Sequence, residues 1–141
     1  MINSIIEAIS ISLNAEFGDN YKIYREVKKQ GLREPCFFIQ CLNPTKQLFL
    51  KKQYIRKNPF CIQYFPKTEQ ENEECLAVAE RLFLCLEYLV LEDRTVRGTQ
   101  MRYELVDGIL HFFVDYNMFV DKVEEAVPDM EEISFQSFVK E

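Results

Sequence analysis

RGTQMRYELVDGILHFFVDYNMFV, running from Arg97 to Val120, decides the fold class of this chain. From Arg97 to Val106 the side chains alternate, with Thr99, Met101, Tyr103 and Leu105 on one face and Gln100, Arg102 and Glu104 on the other. Asp107-Gly108 follows, the dipeptide best suited to a two-residue type I′ turn because both central residues must adopt positive φ. Alternation then resumes from Ile109 to Val120. Leu110, Phe112, Val114, Tyr116, Met118 and Val120 face one way, and His111, Asp115 and Asn117 face the other. A hairpin with one apolar and one polar face must rest on something apolar, so the rest of the chain has to supply a covering layer.

Two segments with helical periodicity can supply it. Over residues 2–16, Ile2, Ile5, Ile6, Ile9 and Leu13 form one stripe, which Gly18-Asp19-Asn20 ends. After Pro66, the acidic run Glu69 to Glu74 opens a second helix, with its charge where the helix dipole favours anions. Its stripe is Cys75, Val78, Ala79, Leu82, Cys85, Leu86 and Leu89.

Between the helices lie four predicted strands. The first runs from Tyr21 to Val27, and Lys28-Lys29-Gln30-Gly31 is read as a turn. Cys36 to Leu42 is apolar on both faces, hence central or covered. Residues 47–56 form a third strand, with Leu48, Leu50, Lys52, Tyr54 and Arg56 on one side. Asn58-Pro59 makes a break, and Phe60 to Phe65 forms the fourth strand. The order predicts an α+β domain over residues 1–128, with a mainly antiparallel sheet and both helices on one face. Residues 129–141 stand apart. Ile133-Ser134-Phe135-Gln136-Ser137-Phe138-Val139 alternates after an acidic stretch broken by Pro128, and it reads either as an extra strand of the same sheet or as an arm that pairs with a neighbour's exposed edge.

At 141 residues, 48% of them apolar, the chain can fold as one domain without staples. No apolar run approaches the ~18–20 residues needed to span a bilayer. The first residues lack a basic n-region, so a soluble chain, cytosolic at synthesis, is expected, with no membrane partner. Five cysteines inside apolar segments suit reduced, inert core thiols. Cys36 and Cys41 should face opposite sides of their strand, a spacing that suits neither a zinc knuckle nor a redox pair.

The charge is polarised along the chain. Residues 1–68 hold 11 Lys/Arg against 5 Asp/Glu, whereas residues 69–141 hold 6 against 18. The halves could pair within one fold, or a basic face of one copy could meet an acidic face of the next. Candidate contact residues are Lys51, Lys52, Tyr54, Arg56 and Lys57 on the basic side and Glu73 and Glu74 on the acidic side. Ile133, Phe135 and Phe138 are the candidates in the C-terminal arm.

Chemistry finds little support. His111 is the lone histidine and has no second ligand at a useful spacing. Gly18, Gly31, Gly98 and Gly108 are isolated, so no phosphate-cradling loop is predicted. The carboxylate pairs lie in solvated stretches. No catalytic residue, metal or cofactor is expected. Lys46, Lys51, Lys52, Arg56 and Lys57 interleave with Phe49, Tyr54 and Phe60, which is the composition of a nucleic-acid surface, but a pI near 5.0 argues for no more than passive contact with DNA.

One resemblance spans most of residues 1–120. Tyr24-Arg25-Glu26-Val27, Gln30-Gly31-Leu32, Pro35-Cys36-Phe37-Phe38-Ile39, Tyr54-Ile55-Arg56-Lys57-Asn58-Pro59-Phe60 and Gln63-Tyr64-Phe65-Pro66, in that order and followed by a helix and an Asp-Gly hairpin, resemble the tail terminator (tail-completion) proteins of tailed phages of Gram-positive bacteria and of phage-tail-like bacteriocins. The resemblance implies an α+β subunit that assembles, typically as six copies, into a ring on the head-proximal end of the tail tube. It implies tube, connector and sheath proteins as partners, and no catalysis. The final location would be the virion or tail-like particle. The competing expectation is a small acidic binding or inhibitor protein that acts through a one-to-one protein contact.

Overall fold

The computed structural model of the chain describes residues 1–26 and 33–122. In chain order the elements are α1 (Ile2–Phe17), β1 (Lys22–Tyr24), β2 (Cys36–Cys41), β3 (Thr45–Leu50), β4 (Gln53–Lys57), β5 (Pro59–Phe65), α2 (Glu71–Cys85), β6 (Tyr88–Val90), β7 (Thr95–Arg97), β8 (Thr99–Val106), β9 (Ile109–Asp115) and β10 (Met118–Asp121). The class is α+β. A five-stranded sheet has the order β1-β2-β5-β9-β8, a three-stranded sheet the order β10-β4-β3, and β6 pairs with β7. Every pair is antiparallel except β1 with β2.

Both helices lie on one face of the large sheet. From α1, Ile5, Ala8, Ile9, Leu13 and Phe17 are buried, and from α2, Cys75, Val78, Ala79 and Leu82. They form one core with the inward residues of the sheet, among them Phe37, Ile39, Phe60, Ile62, Tyr64, Leu110, Phe112 and Val114. The predicted alternation of the decisive hairpin holds. Leu110, Phe112, Val114, Tyr116 and Met118 are buried, and Met101, Tyr103 and Leu105 pack against the core from β8. Asp107 and Gly108 take φ of 52° and 76°, as a type I′ turn requires, between the paired residues Val106 and Ile109.

Three predicted elements differ from the structure. The single strand over residues 47–56 is a hairpin, in which the chain reverses at Lys51-Lys52 so that Leu48 faces Tyr54 across the pair. The long strand from Ile109 to Val120 breaks at Tyr116-Asn117, and its end, β10, leaves β5 to pair with β4. The second helix stops at Cys85. Leu86 and Leu89 are buried as its periodicity suggests, but from a turn and from strand β6. The β6–β7 hairpin has no counterpart in the sequence reading. The turn read at residues 28–31, the end of the first strand at Val27, and the C-terminal candidates Ile133, Phe135 and Phe138 lie outside the described residues.

The corner where β4 passes into β5 and β9 into β10 is built around Asn58, a fully buried polar residue. Its side-chain Nδ2 donates to the Tyr116 carbonyl at 2.9 Å, and the Tyr116 amide donates to the Asn58 carbonyl at 2.9 Å. The Asn58 amide donates to Asn117 Oδ1 at 3.3 Å. The Tyr116 hydroxyl crosses the core to donate to the Leu86 carbonyl at 2.6 Å. Gly98 makes room for this arrangement, since a Cβ there would sit 2.7 Å from Val114 Cγ2 and 2.9 Å from the Leu86 carbonyl oxygen. The two strand pairs therefore bend together, and the β3–β4 hairpin with β10 projects from a fixed corner.

Candidate functional site: the projecting hairpin

The projecting sheet carries an unusual surface for a single chain. All six residues of β3 are exposed. Leu48, Phe49 and Leu50 are 57%, 53% and 59% exposed, and Phe119 on β10 is 47% exposed. Scattered exposed apolar residues need no explanation, but three in succession on one strand do. The register shifts between Leu48 and Leu50, so Phe49 is the extra residue of a bulge. Its ring packs 5.0 Å from that of Phe119, across the intervening strand β4.

The edges of this sheet are unequal. On β10, the Phe119 carbonyl accepts a hydrogen bond from Arg94 Nη1 at 3.0 Å, so the loop between β6 and β7 guards that side. On the other side β3 has one strand partner among the described residues, β4. An exposed edge with apolar side chains offers unpaired backbone groups to another chain, and isolated proteins usually protect such edges.

The predicted basic candidates gather here. The segment Thr45–Lys57 carries Lys46, Lys51, Lys52, Arg56 and Lys57 and no Asp or Glu. Lys51 and Lys52 form the exposed tip, Tyr54 and Arg56 are half-buried on β4, and Lys57 is exposed beside the corner. Lys46 Nζ stands 4.4 Å from the centroid of the Tyr54 ring. Of the three aromatics in the nucleic-acid reading, Phe60 is fully buried, Tyr54 lies against Lys46, and Phe49 is paired with Phe119.

The acidic candidates lie elsewhere. The hairpin leaves from the start of β5 and α2 follows its end, so the seven residues of β5 separate the two by about 20 Å. Glu69, Glu71 and Glu73 line an open concavity at the start of α2 with Gln70 and Asn72. Glu73 is exposed. Glu74 is engaged internally. The Tyr64 hydroxyl donates to its carboxylate, as do the Lys67 amide at 2.9 Å, the Thr68 amide at 2.8 Å and the Thr68 hydroxyl at 2.7 Å. Burial alone would raise the pKa of Glu74, but these donors outweigh it and hold the carboxyl below its ordinary value.

Elsewhere the described residues have the character of structure. Burial pushes the Cys36, Cys61 and Cys75 thiols up to about 11 and Cys85 to about 12, so all four are protonated at neutral pH. Cys41 packs against the helix-covered core, and Cys36 lies on the opposite side of β2, as their spacing predicted. His111 is half-buried on the helix-free face, with Gln63 and Glu104 as cross-strand neighbours. Among the described residues no group of three or more His, Cys, Asp or Glu gathers to hold a metal ion, and no helix is long and apolar enough to cross a membrane.

Sequence reasoning found the cations of the hairpin, took Phe49 only as an aromatic interleaved with them, and passed over Leu48, Leu50 and Phe119 as surface residues. The available signal was the apolar triplet running straight into Lys51-Lys52, a junction that a core strand does not ordinarily contain.

Compared with known proteins, the chain finds no match among curated sequences. The family model described as phage tail terminator protein matches residues 4–128, a span that takes in α2, nearly all of α1 and the ten strands of the described residues. The family is a structural one whose members contact other tail proteins in the virion, and on this match the chain belongs to the phage tail terminator protein family.

Proposed function

We propose that this chain is the ring-forming subunit that closes the head-proximal end of a phage tail tube. It would stop tube growth and present a docking surface to the connector or, in a contractile tail, to the sheath. The observation that carries this reading is the edge strand β3, which pairs only with β4 among the described residues and exposes Leu48, Phe49 and Leu50 on a hairpin joined to the Asn58–Tyr116 corner. Covering an apolar side chain of this size is worth about 1.5–3 kcal/mol, so a contact that covers three of them supplies several kcal/mol toward association. The basic hairpin and the acidic start of α2 lie beyond opposite ends of β5. A heterologous contact in which one meets the other on the next copy closes into a ring when the rotation between copies permits. Exposed ion pairs add little affinity, so charge sets orientation and encounter rate while the apolar edge sets strength.

The reading also suits a chain whose Glu74 is engaged by Tyr64, Lys67 and Thr68 and whose buried thiols are protonated. Native mass spectrometry of the purified chain, together with electron microscopy of purified tails, tests the reading. A closed ring of about six copies at one end of the tube is expected from the family resemblance. A chain absent from assembled tails contradicts it.

A further inference from the structure

The edge of β3 has a complement on another edge of the same fold. We infer that β3 of one copy adds in parallel to β8 of the next copy, joining the sheet β1-β2-β5-β9-β8 of one to the sheet β3-β4-β10 of the other across the subunit boundary. The inference rests on the proposed ring and names the contact that would build it.

Length, guarding and charge select β8. Among the described residues β1, β3, β6, β7, β8 and β10 each have one strand partner. β1, β6 and β7 have three residues apiece, too few to cover the six of β3. β10 has four, and its Phe119 carbonyl is held by Arg94. A second β3 would set the five cations of one hairpin Thr45–Lys57 against five more with no acid between them, and like charges on facing strands repel. β8 remains, with eight residues.

Charge also sets the direction. The first half of β8 follows Arg97, contains Arg102 and carries the register shift between Thr99 and Arg102. The Gln100 carbonyl there already accepts from Arg102 Nη1 at 2.8 Å. The second half contains Glu104 and runs into Asp107, and the Glu71 carboxylate sits against Gly108, so the acidic start of α2 borders this end. Lys51 and Lys52 follow directly on β3. A parallel approach carries them to the acidic end of β8, whereas an antiparallel one carries them to Arg97 and Arg102.

One register satisfies charge and apolar contact together. Setting Lys46 beside Arg102 opposes two cations. Moving β3 two residues on sets Lys46 beside Glu104, both exposed, and the next position on that face sets Leu48 beside Val106. Leu48 is 57% exposed and Val106 44%. The tip then meets the Asp107-Gly108 turn and the concavity lined by Glu69, Glu71 and Glu73. Main-chain hydrogen bonds supply affinity in such strand addition, and alternate side chains supply specificity. Because β3 and β8 are different surfaces, the contact is head-to-tail, as a ring requires.

Neighbouring positions on paired strands lie within the roughly 4.4–6.8 Å between Cα atoms that a disulfide spans. In the test, heavy-isotope chain with Leu48→Cys is mixed with an equal amount of light chain with Val106→Cys, assembled with tail tubes and oxidised, and mass spectrometry locates the new bonds apart from the native thiols. A heavy-to-light disulfide between positions 48 and 106 is the expected result, with unchanged melting temperatures because both positions are exposed. A bond between two Leu48→Cys chains, or one to Thr99→Cys in place of Val106→Cys, would overturn the pairing. Assembled rings with no bond between positions 48 and 106 overturn it while leaving the ring reading intact, whereas a chain that neither self-associates nor joins tails overturns both. As a second measurement, Lys46→Glu or Glu104→Lys alone should lower the yield of this bond about two- to fivefold, the range of a cross-strand charge pair, and a chain carrying both should recover it. A double variant no better than either single one also contradicts the pairing.

Discussion

Asn58 and Tyr116 are joined twice, once through the Asn58 side-chain amide to the Tyr116 carbonyl and once through the Tyr116 amide to the Asn58 carbonyl, each at 2.9 Å. They sit where two neighbouring strands leave the large sheet together. This pair makes the projecting hairpin a fixed feature and not a loose loop. An assembly contact made by a fixed element avoids much of the ordering cost of association.

Asn58→Ala removes the donor and leaves the buried Tyr116 carbonyl without it. The cost is about 1–3 kcal/mol. Denaturant unfolding should register that loss, and amide exchange in β3 and β4 should accelerate more than exchange in β5 and β9. A variant with unchanged stability and unchanged exchange would show that the corner is not held by this residue.

Glu74 makes stability depend on pH. Its carboxyl is held below the ordinary 4.5 in the folded chain by the Tyr64, Lys67 and Thr68 donors. A group depressed in this way contributes its full stabilisation above the unfolded value, and that contribution disappears as pH falls through the folded value. Glu74→Gln should therefore cost up to about 1 kcal/mol near neutrality, because solvent screens the hydrogen bonds of this partly exposed carboxylate. The gap from wild type should narrow steadily below pH 4.5. Parallel acid-unfolding curves for the two proteins would remove Glu74 as the source of that dependence.

The thiols should be silent in the folded protein. Cys36, Cys61 and Cys75 are buried with pKa near 11, and Cys85 stands near 12. At pH 7.5 a thiol-disulfide reagent should label the buried Cys36, Cys61 and Cys75 at rates set by unfolding, and denaturant should release them at once. Fast labelling of Cys36, Cys61 or Cys75 in native buffer would contradict their burial.

The hairpin tip should govern how quickly subunits meet. Replacing Lys51 and Lys52 with glutamate reverses the charge of two exposed positions, so stability should change by no more than about 0.5 kcal/mol. Association should slow, and its dependence on ionic strength should weaken, because steering operates within a Debye length of about 8–10 Å at ordinary salt. Association kinetics identical to wild type at low salt would exclude the tip from the contact.

The hairpin from Arg97 to Val120 was legible because Asp107-Gly108 has one economical conformation and the flanking apolar residues keep strict alternation. Both helices were legible from their stripes. The break at Tyr116-Asn117 was hidden because Val114, Tyr116, Met118 and Val120 hold the same parity on either side of it, so the change of sheet leaves the inward pattern intact. The reversal at Lys51-Lys52 was hidden because neither residue is a turn former. The end of α2 was hidden because Leu86 and Leu89 continue the helical period from a turn and a strand. The site was half legible. Its cations stood out by composition, but an apolar triplet reads as core until the sheet topology shows that β3 is an edge.

The most direct test is the tail itself. Tails would be purified from cells making wild-type chain or the chain with Leu48→Asp and Phe49→Asp, and imaged for tube length and for density at the head-proximal end. The account predicts tubes of uniform length capped by the wild-type subunit, and tubes of irregular length lacking the cap when β3 carries the two aspartates. Uniform, capped tails containing the doubly substituted chain would contradict it.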